Sequence, residues 1–428
     1  MPETSSSGTG RRAVLAAGLG SLGAAGLAGG VALAGRDQPG AASAQAAGAA
    51  GGDASAGSAR VPFAGAHQQV ITHDPVAARA SMSAFRVTAQ DRGELAELFE
   101  ILTATIADLQ AGRLPDSRDP SFPARETGIL GAEVQPDHLG IAVSVGASLF
   151  DERFGLADRK PKNLAKMPFL ANDRLDPQRS HGDLLLTIEA DHPDTMQHAL
   201  RQIMRAARAH MVMAWTIEGY SRGTGGGHGS GQTPRNLMGF KDGTNNLDMT
   251  DDRVMDEFVW VGADDGEPEW AVGGSYHVVR VIRMFVEFWD RTRIVEQEQI
   301  FGRHKVSGAP LGSEDEFAPI NHSADPDGET IPLDSHIRLA TPQTPDASGD
   351  VILRRGFSYT RGVDGSGQLD QGLAFVSFQR RLEQFLNIQA RLDGEPLEEY
   401  ILPEGGGFFF ALPGVEDEGT SLGARLLA

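Results

Sequence analysis

Four short stretches in the second half of the chain carry residue types that could do chemistry. Gly239-Phe240-Lys241-Asp242-Gly243-Thr244-Asn245 sets a single carboxylate between glycines. Alone, the run is ordinary turn chemistry, because Asp-Gly followed by Thr and Asn suits a tight turn. It gains a function if Asp242 faces a flat ligand, since Gly243 has no Cβ and lets the backbone approach one closely. Asp334-Ser335-His336 offers an imidazole to a metal, although most of the 12 histidines must sit at the surface or in satisfied core positions. Leu353-Arg354-Arg355-Gly356-Phe357 follows at a distance that allows a loop and a turn to carry an arginine to the opposite face of a ligand held by His336. Ile300-Phe301-Gly302-Arg303-His304-Lys305 is a basic cluster after a helix, for which surface ion pairs are the default reading.

The elements that must position these residues alternate strand and helix patterns. Ser83 to Ala89 reads as a strand, and Leu95, Leu98, Phe99, Leu102, Ile106 and Leu109 share one helical face that stops at Gly112. Strands are expected at Leu139–Val145, Leu184–Ile188 and Val212–Tyr220, with a second amphipathic helix through Met196, Leu200, Ile203, Met204 and Ala207. Two helices among four strands in this order is a ferredoxin-like plan. A Gly/Ser/His stretch from Ser221 to Gln232 breaks the pattern. Beyond it, strands are expected at Phe258–Val261, Tyr276–Phe288, Leu373–Phe378 and Phe408–Leu412, and helices near Ile294–Ile300 and Arg380–Leu392. The second half thus repeats the first, interrupted by a loop-rich insertion from Gly308 to Arg355 of the kind that tends to carry function. The expected fold class is α+β: a duplicated ferredoxin-like fold with two antiparallel sheets and peripheral helices.

Composition narrows the function. With Asp+Glu 58 against Lys+Arg 38, the net charge is −20, which repels a polyanion and argues against nucleic-acid binding. The 428 residues include no cysteine, so thiolate metal sites, thiol nucleophiles and disulfides are excluded, and redox chemistry requires a bound cofactor. At the N-terminus, Arg11 and Arg12 precede a weakly apolar Ala/Gly/Leu run from Ala13 to Ala34, and Ala42-Ser43-Ala44 offers a cleavage site. The pattern is that of a twin-arginine export signal; a transmembrane anchor is the alternative, but the run is too weakly apolar for a good stop-transfer helix. The expected organisation is a signal peptide over 1–44, a linker over 45–60, an N-terminal half over 61–225 and a C-terminal half over 226–428.

Taken together and in this order, the run Asn236–Asn245, Gly302-Arg303-His304-Lys305, Asp334-Ser335-His336, Arg354–Tyr359 and Gly405–Phe410 resemble the dye-decolourising peroxidase family. The resemblance covers nearly all of the chain after the leader. The leader and Pro396-Leu397-Glu398-Glu399-Tyr400-Ile401 are similar to an exported subgroup linked to iron uptake. It implies haem b (iron protoporphyrin IX) in the C-terminal half, with His336 on the iron, Asp242 as distal acid, Arg354 as distal arginine and Arg303 paired with a propionate. It also implies a carboxylate behind His336 within Glu398 or Glu399, with Glu399 favoured by position. One departure is Gly356, where some members carry an Asn two residues after the distal arginine; that residue's role does not transfer.

These residue types suit a peroxidase. A carboxylate accepting the second N–H of an axial imidazole enriches it in electrons. One acid/base group can take a proton from one peroxide oxygen and return it to the other, and a permanent guanidinium charge stabilises the leaving oxygen. Bulky donors such as dyes or phenols would pass electrons through the protein, for which Trp215, Trp260, Trp289, Tyr359 and Tyr400 are candidates against an ordinary packing role. The expected partners are hydrogen peroxide, an organic reductant, the twin-arginine machinery and iron-uptake proteins; homo-oligomerisation stays open. The alternative function is haem handling, with release of iron from haem or transfer of haem itself. A third reading, metal binding by the loop at His228, rests on one histidine in a glycine run.

Overall fold

The structure, a computed structural model, describes residues 60–115, 119–222, 233–416 and 419–428. The leader, the linker as far as residue 59, and His228 lie outside the described residues.

Four strands, β1 (Arg79–Val87), β2 (Gly140–Gly146), β3 (Leu184–Ala190) and β4 (Met211–Tyr220), form an antiparallel sheet ordered β2-β3-β1-β4. Its outer face is covered by α1 (Arg92–Gln110) and α2 (Pro193–Ala206). The α1 stripe from Leu95 to Leu109 is fully buried as its spacing predicts, and the helix starts where the Asp91 carboxylate accepts the Glu94 N–H. Pro193 sits in the first turn of α2, where its missing N–H costs nothing.

The second half repeats the plan. After α3 (Asp252–Phe258) come β5 (Ser275–Met284), α4 (Val286–Trp289), α5 (Ile294–Phe301) and α6 (His336–Ala340). They are followed by β6 (Leu353–Arg354), β7 (Phe357–Val363), β8 (Leu369–Gln379), α7 (Leu382–Leu392), β9 (Ile401–Ala411) and α8 (Ala424–Leu427). The strand order β7-β8-β5-β9 matches that of the first sheet, strand for strand. The two sheets are joined along β2–β9, by Ser144↔Ala411 to Gly146↔Phe409, and along β4–β7, by Tyr220↔Ser358. Because β8 also pairs with β5, the strands close into a ring. Its interior is filled by side chains such as Met82, Leu185, Trp215, Val281, Phe357 and Phe409.

Several expectations shift. Phe258–Val261 is the end of α3 and a buried turn, not a strand; Val259 and Val261 are 0% and 2% exposed, and a short apolar run cannot tell a strand from a buried turn. β5 stops at Met284, and Val286–Trp289 is helical. β7 was not anticipated. Among the described residues no helix is long and apolar enough to cross a membrane.

Candidate active site

A cavity of about 310 Å³ lies against the second sheet, within the range of small-molecule sites. Ile282 and Met284 of β5, Leu373 and Phe375 of β8 and Pro403 of β9 give it an apolar lining, and α7 contributes Phe385 and Ile388. The insertion between Gly308 and Arg355 and the turn around Asp242 supply some of the polar groups, and Arg303 and Glu395 add others.

His336 opens α6 and lines this cavity. The helix packs against the end of α5 because Gly302 (φ 79°) turns the chain in a left-handed conformation and has no Cβ; one would lie 2.7 Å from Ile337 Cγ1 and 2.9 Å from Ser335 Oγ. The imidazole Nδ1 is 2.7 Å from Glu395 Oε2. A carboxylate can only accept, so Nδ1 donates and Nε2 is left as the ring nitrogen available to a metal. Burial pushes the imidazole down, but the charge and hydrogen bond of Glu395 outweigh it and hold the ring above its ordinary value.

Glu395 corrects the expectation for Glu399. The turn Pro396–Tyr400 leaves Glu399 exposed and Glu398 at the cavity lining, whereas Glu395, just before the turn, is buried and reaches the imidazole. Gly394-Glu395-Pro396 is a turn signal, and the residue before a proline is held extended, but nothing in that signal marks a carboxylate that reaches a distant imidazole.

Asp242 and Arg354 line the same cavity and meet there, with Arg354 Nη1 donating to Asp242 Oδ1 at 2.6 Å. Gly243, at φ 135°, lets the chain turn sharply beside the carboxylate. Arg303 also lines the cavity; its Nη1 donates to the Gly308 carbonyl at 2.7 Å and the Glu316 carbonyl at 3.2 Å. Burial lowers the Arg303 pKa, Glu316 opposes the shift and the nearby Arg354 charge adds to it. Beside them the Glu316 carboxylate accepts from Lys241, Thr233 and Thr244. Deeper, the buried pair Arg280–Asp173 brings a loop of the first half to the cavity wall.

The expected site residues His336, Asp242, Gly243, Arg354 and Arg303 therefore border one cavity, and Glu399 does not join them. Of the aromatic candidates, Trp215 and Tyr359 are buried strand residues of the ring's core, and Trp260 stacks on His67 in the same core. Trp289 and Tyr400 form a separate cluster with Phe301, whose ring lies 5.9 Å from that of His336. The residues fit haem: an imidazole oriented by a carboxylate for the iron, an apolar lining for the macrocycle, arginines for its carboxylates, and an acid–cation pair for peroxide.

Comparison with known proteins agrees. Residues 68–221 match the family model described as Dyp-type peroxidase, N-terminal, and 233–416 match Dyp-type peroxidase, C-terminal. A deferrochelatase of Escherichia coli (strain K12) is 49% identical over 368 residues, covering 86% of this chain and 87% of its own. One from Shigella flexneri is similar to the same extent, at 49% identity over 368 residues. Among solved structures, ferric DtpA from Streptomyces lividans superposes with a TM-score of 0.77 at 35% identity, covering 87% of this chain and 98% of that one. The DyP-type peroxidase from Cellulomonas bogoriensis gives 0.76 at 32%, covering 87% and 99%.

Proposed function

We infer the roles of individual residues from one premise: the chain belongs to the Dyp-type peroxidase family and is a haem-dependent peroxidase. Bound haem would supply the redox chemistry that the side chains themselves lack. His336 would hold the haem iron through Nε2, while Glu395 keeps the ring proton on Nδ1 and fixes the ring's orientation. Asp242 takes a proton from one oxygen of hydrogen peroxide and returns it to the other, directly or through one water. Arg354 stabilises the negative charge that grows on the departing oxygen. Arg303 pairs with a haem carboxylate.

The observation that carries this reading is the meeting of the His336–Glu395 and Asp242–Arg354 pairs on one cavity. The donors are organic molecules such as dyes or phenols, and Trp289 and Tyr400, 4.9 Å apart between ring centres, are the relay favoured by the contact of Trp289 with Phe301. An absorbance spectrum of the purified protein, before and after peroxide, tests the reading: a haem Soret band that responds to one equivalent of peroxide supports it, and protein free of haem after expression with haem supplied overturns it.

A second reading is favoured by the 49% identity to proteins named deferrochelatase: haem as a substrate that yields its iron, with the distal pair incidental. Export through the twin-arginine route to the periplasm, envelope or exterior, and association with iron-uptake proteins, rest on Arg11, Arg12 and the same relatives.

A further inference from the structure

The side-chain amide of Asn246 engages both backbone polar groups of one residue. Nδ2 donates to the Arg354 carbonyl at 2.8 Å, and the Arg354 N–H donates to Oδ1 at 2.9 Å. β6 and β7 run as one strand along the same side of β8, interrupted at Arg355 and Gly356, and the Arg355 N–H points inward to the Val376 carbonyl. In an antiparallel ladder the neighbouring residue then points its N–H and C=O the other way. That side is open, because β4 reaches this strand only at Ser358. Without Asn246 the Arg354 peptide would be an unpaired strand edge, able to shift against the rest of the sheet.

The same asparagine belongs to the turn that carries Asp242, which is closed by the Asn246 N–H on the Gly243 carbonyl at 3.1 Å. Arg354 is thus tied to that turn twice, by its backbone to Asn246 and by its guanidinium to Asp242. On its other side, Arg355 is locked by a two-point ion pair to Glu189 of β3, at 3.1 and 2.5 Å. Asn246 borders a small chamber of about 60 Å³ that Asp242 and Arg354 also line, and it does not line the main cavity.

We propose that Asn246 is a positioning residue for the peroxide reaction, an amide clamp that sets where the Arg354 charge stands relative to Asp242. The proposal rests on the reading of Arg354 as the distal cation. The test uses the haem-loaded protein and fluoride, a small anion whose affinity for ferric haem reports a nearby hydrogen-bond donor without turnover. Asn246→Ala, and Asn246→Asp, which keeps the acceptor but sets a carboxylate against the Arg354 carbonyl, should each weaken fluoride binding by about tenfold, the scale of one hydrogen bond to a charged group. The rate constant with peroxide should fall by a similar factor, while KM for the organic donor stays put. Added to Arg354→Leu, Asn246→Ala should cost nothing further. Unchanged fluoride affinity in both Asn246 variants, alongside a loss in Arg354→Leu, overturns this proposal alone. Unchanged affinity in Arg354→Leu overturns the reading of the distal site and the proposal with it.

Discussion

His336 and Glu395 stand 59 residues apart in sequence and meet through a 2.7 Å hydrogen bond, with the glutamate side chain only 4% exposed. A buried carboxylate in that position makes the imidazole a stronger donor to iron. Glu395→Gln should therefore raise the ferric/ferrous potential by tens of millivolts, about 60 mV for each tenfold change in relative affinity. Glu399→Gln, which alters an exposed side chain, should leave it unmoved. A spectroelectrochemical titration of the three proteins decides between the two glutamates.

Removing the imidazole should matter more. His336→Ala deletes the proposed metal donor together with the group that Glu395 serves, so the purified variant should carry little haem or show a changed ferric spectrum. Full loading with the parent spectrum would exclude His336 as the ligand.

The distal pair should separate by role. Arg354→Leu removes a fixed cation that water cannot replace and should slow the reaction of ferric protein with peroxide by roughly 10²–10³. Asp242→Asn should slow it less, because a water molecule can take over part of a proton shuttle. Both should retain haem. Stopped-flow mixing, following the Soret band, measures the two rates; a parent-like rate in Arg354→Leu would sink the mechanism.

Stability should be acid-sensitive through His277. Its ring is fully buried, 2.9 Å from Ser144 Oγ and stacked on Phe378, and burial pushes the imidazole down to about 3. The unfolded chain binds this proton below about pH 6.5 while the folded protein does not until near 3. The contribution is therefore whole above 6.5 and is lost as pH falls toward 3, by about 1.4 kcal/mol per pH unit in that window. Urea unfolding at pH 7 and 5 should show a shallower loss for His277→Gln than for the parent. Equal slopes would show that the histidine takes up its proton in the folded state.

Export provides the fifth test. Arg11→Lys with Arg12→Lys should hold the precursor inside the cell, since the pathway reads that pair as an address. Mature protein outside the cell would mean that the leader works by another route.

Much of this was legible in the chain, and the rest for identifiable reasons. The α1 stripe, β4 and α7 lie close to where their periods put them because each buries one face against a core, and β3 shows as a short apolar run buried on both faces. The motif residues His336, Asp242 and Arg354 border one cavity, as their resemblance to a family implied. Glu395 escaped because its partner is remote in sequence and its neighbours form a turn without periodicity. Asn246 looked like turn chemistry, which it is, but its side chain also pairs with a strand edge that only the folded ring creates. The seams β2–β9 and β4–β7 were invisible for the same reason: alternation shows which way a strand faces, not which strand lies beside it.

The ring also sets an order of events. β9 lies between β5 and β2, supplies Ile401 and Pro403 to the cavity, and follows directly on the turn that begins at Glu395. A growing chain that already displays His336, Asp242 and Arg354 still lacks the imidazole's carboxylate, part of the cavity wall and the strand that closes the barrel. A pocket fit for haem therefore requires β9 and the turn before it, and the stretch of chain that ends before Glu395 does not complete one.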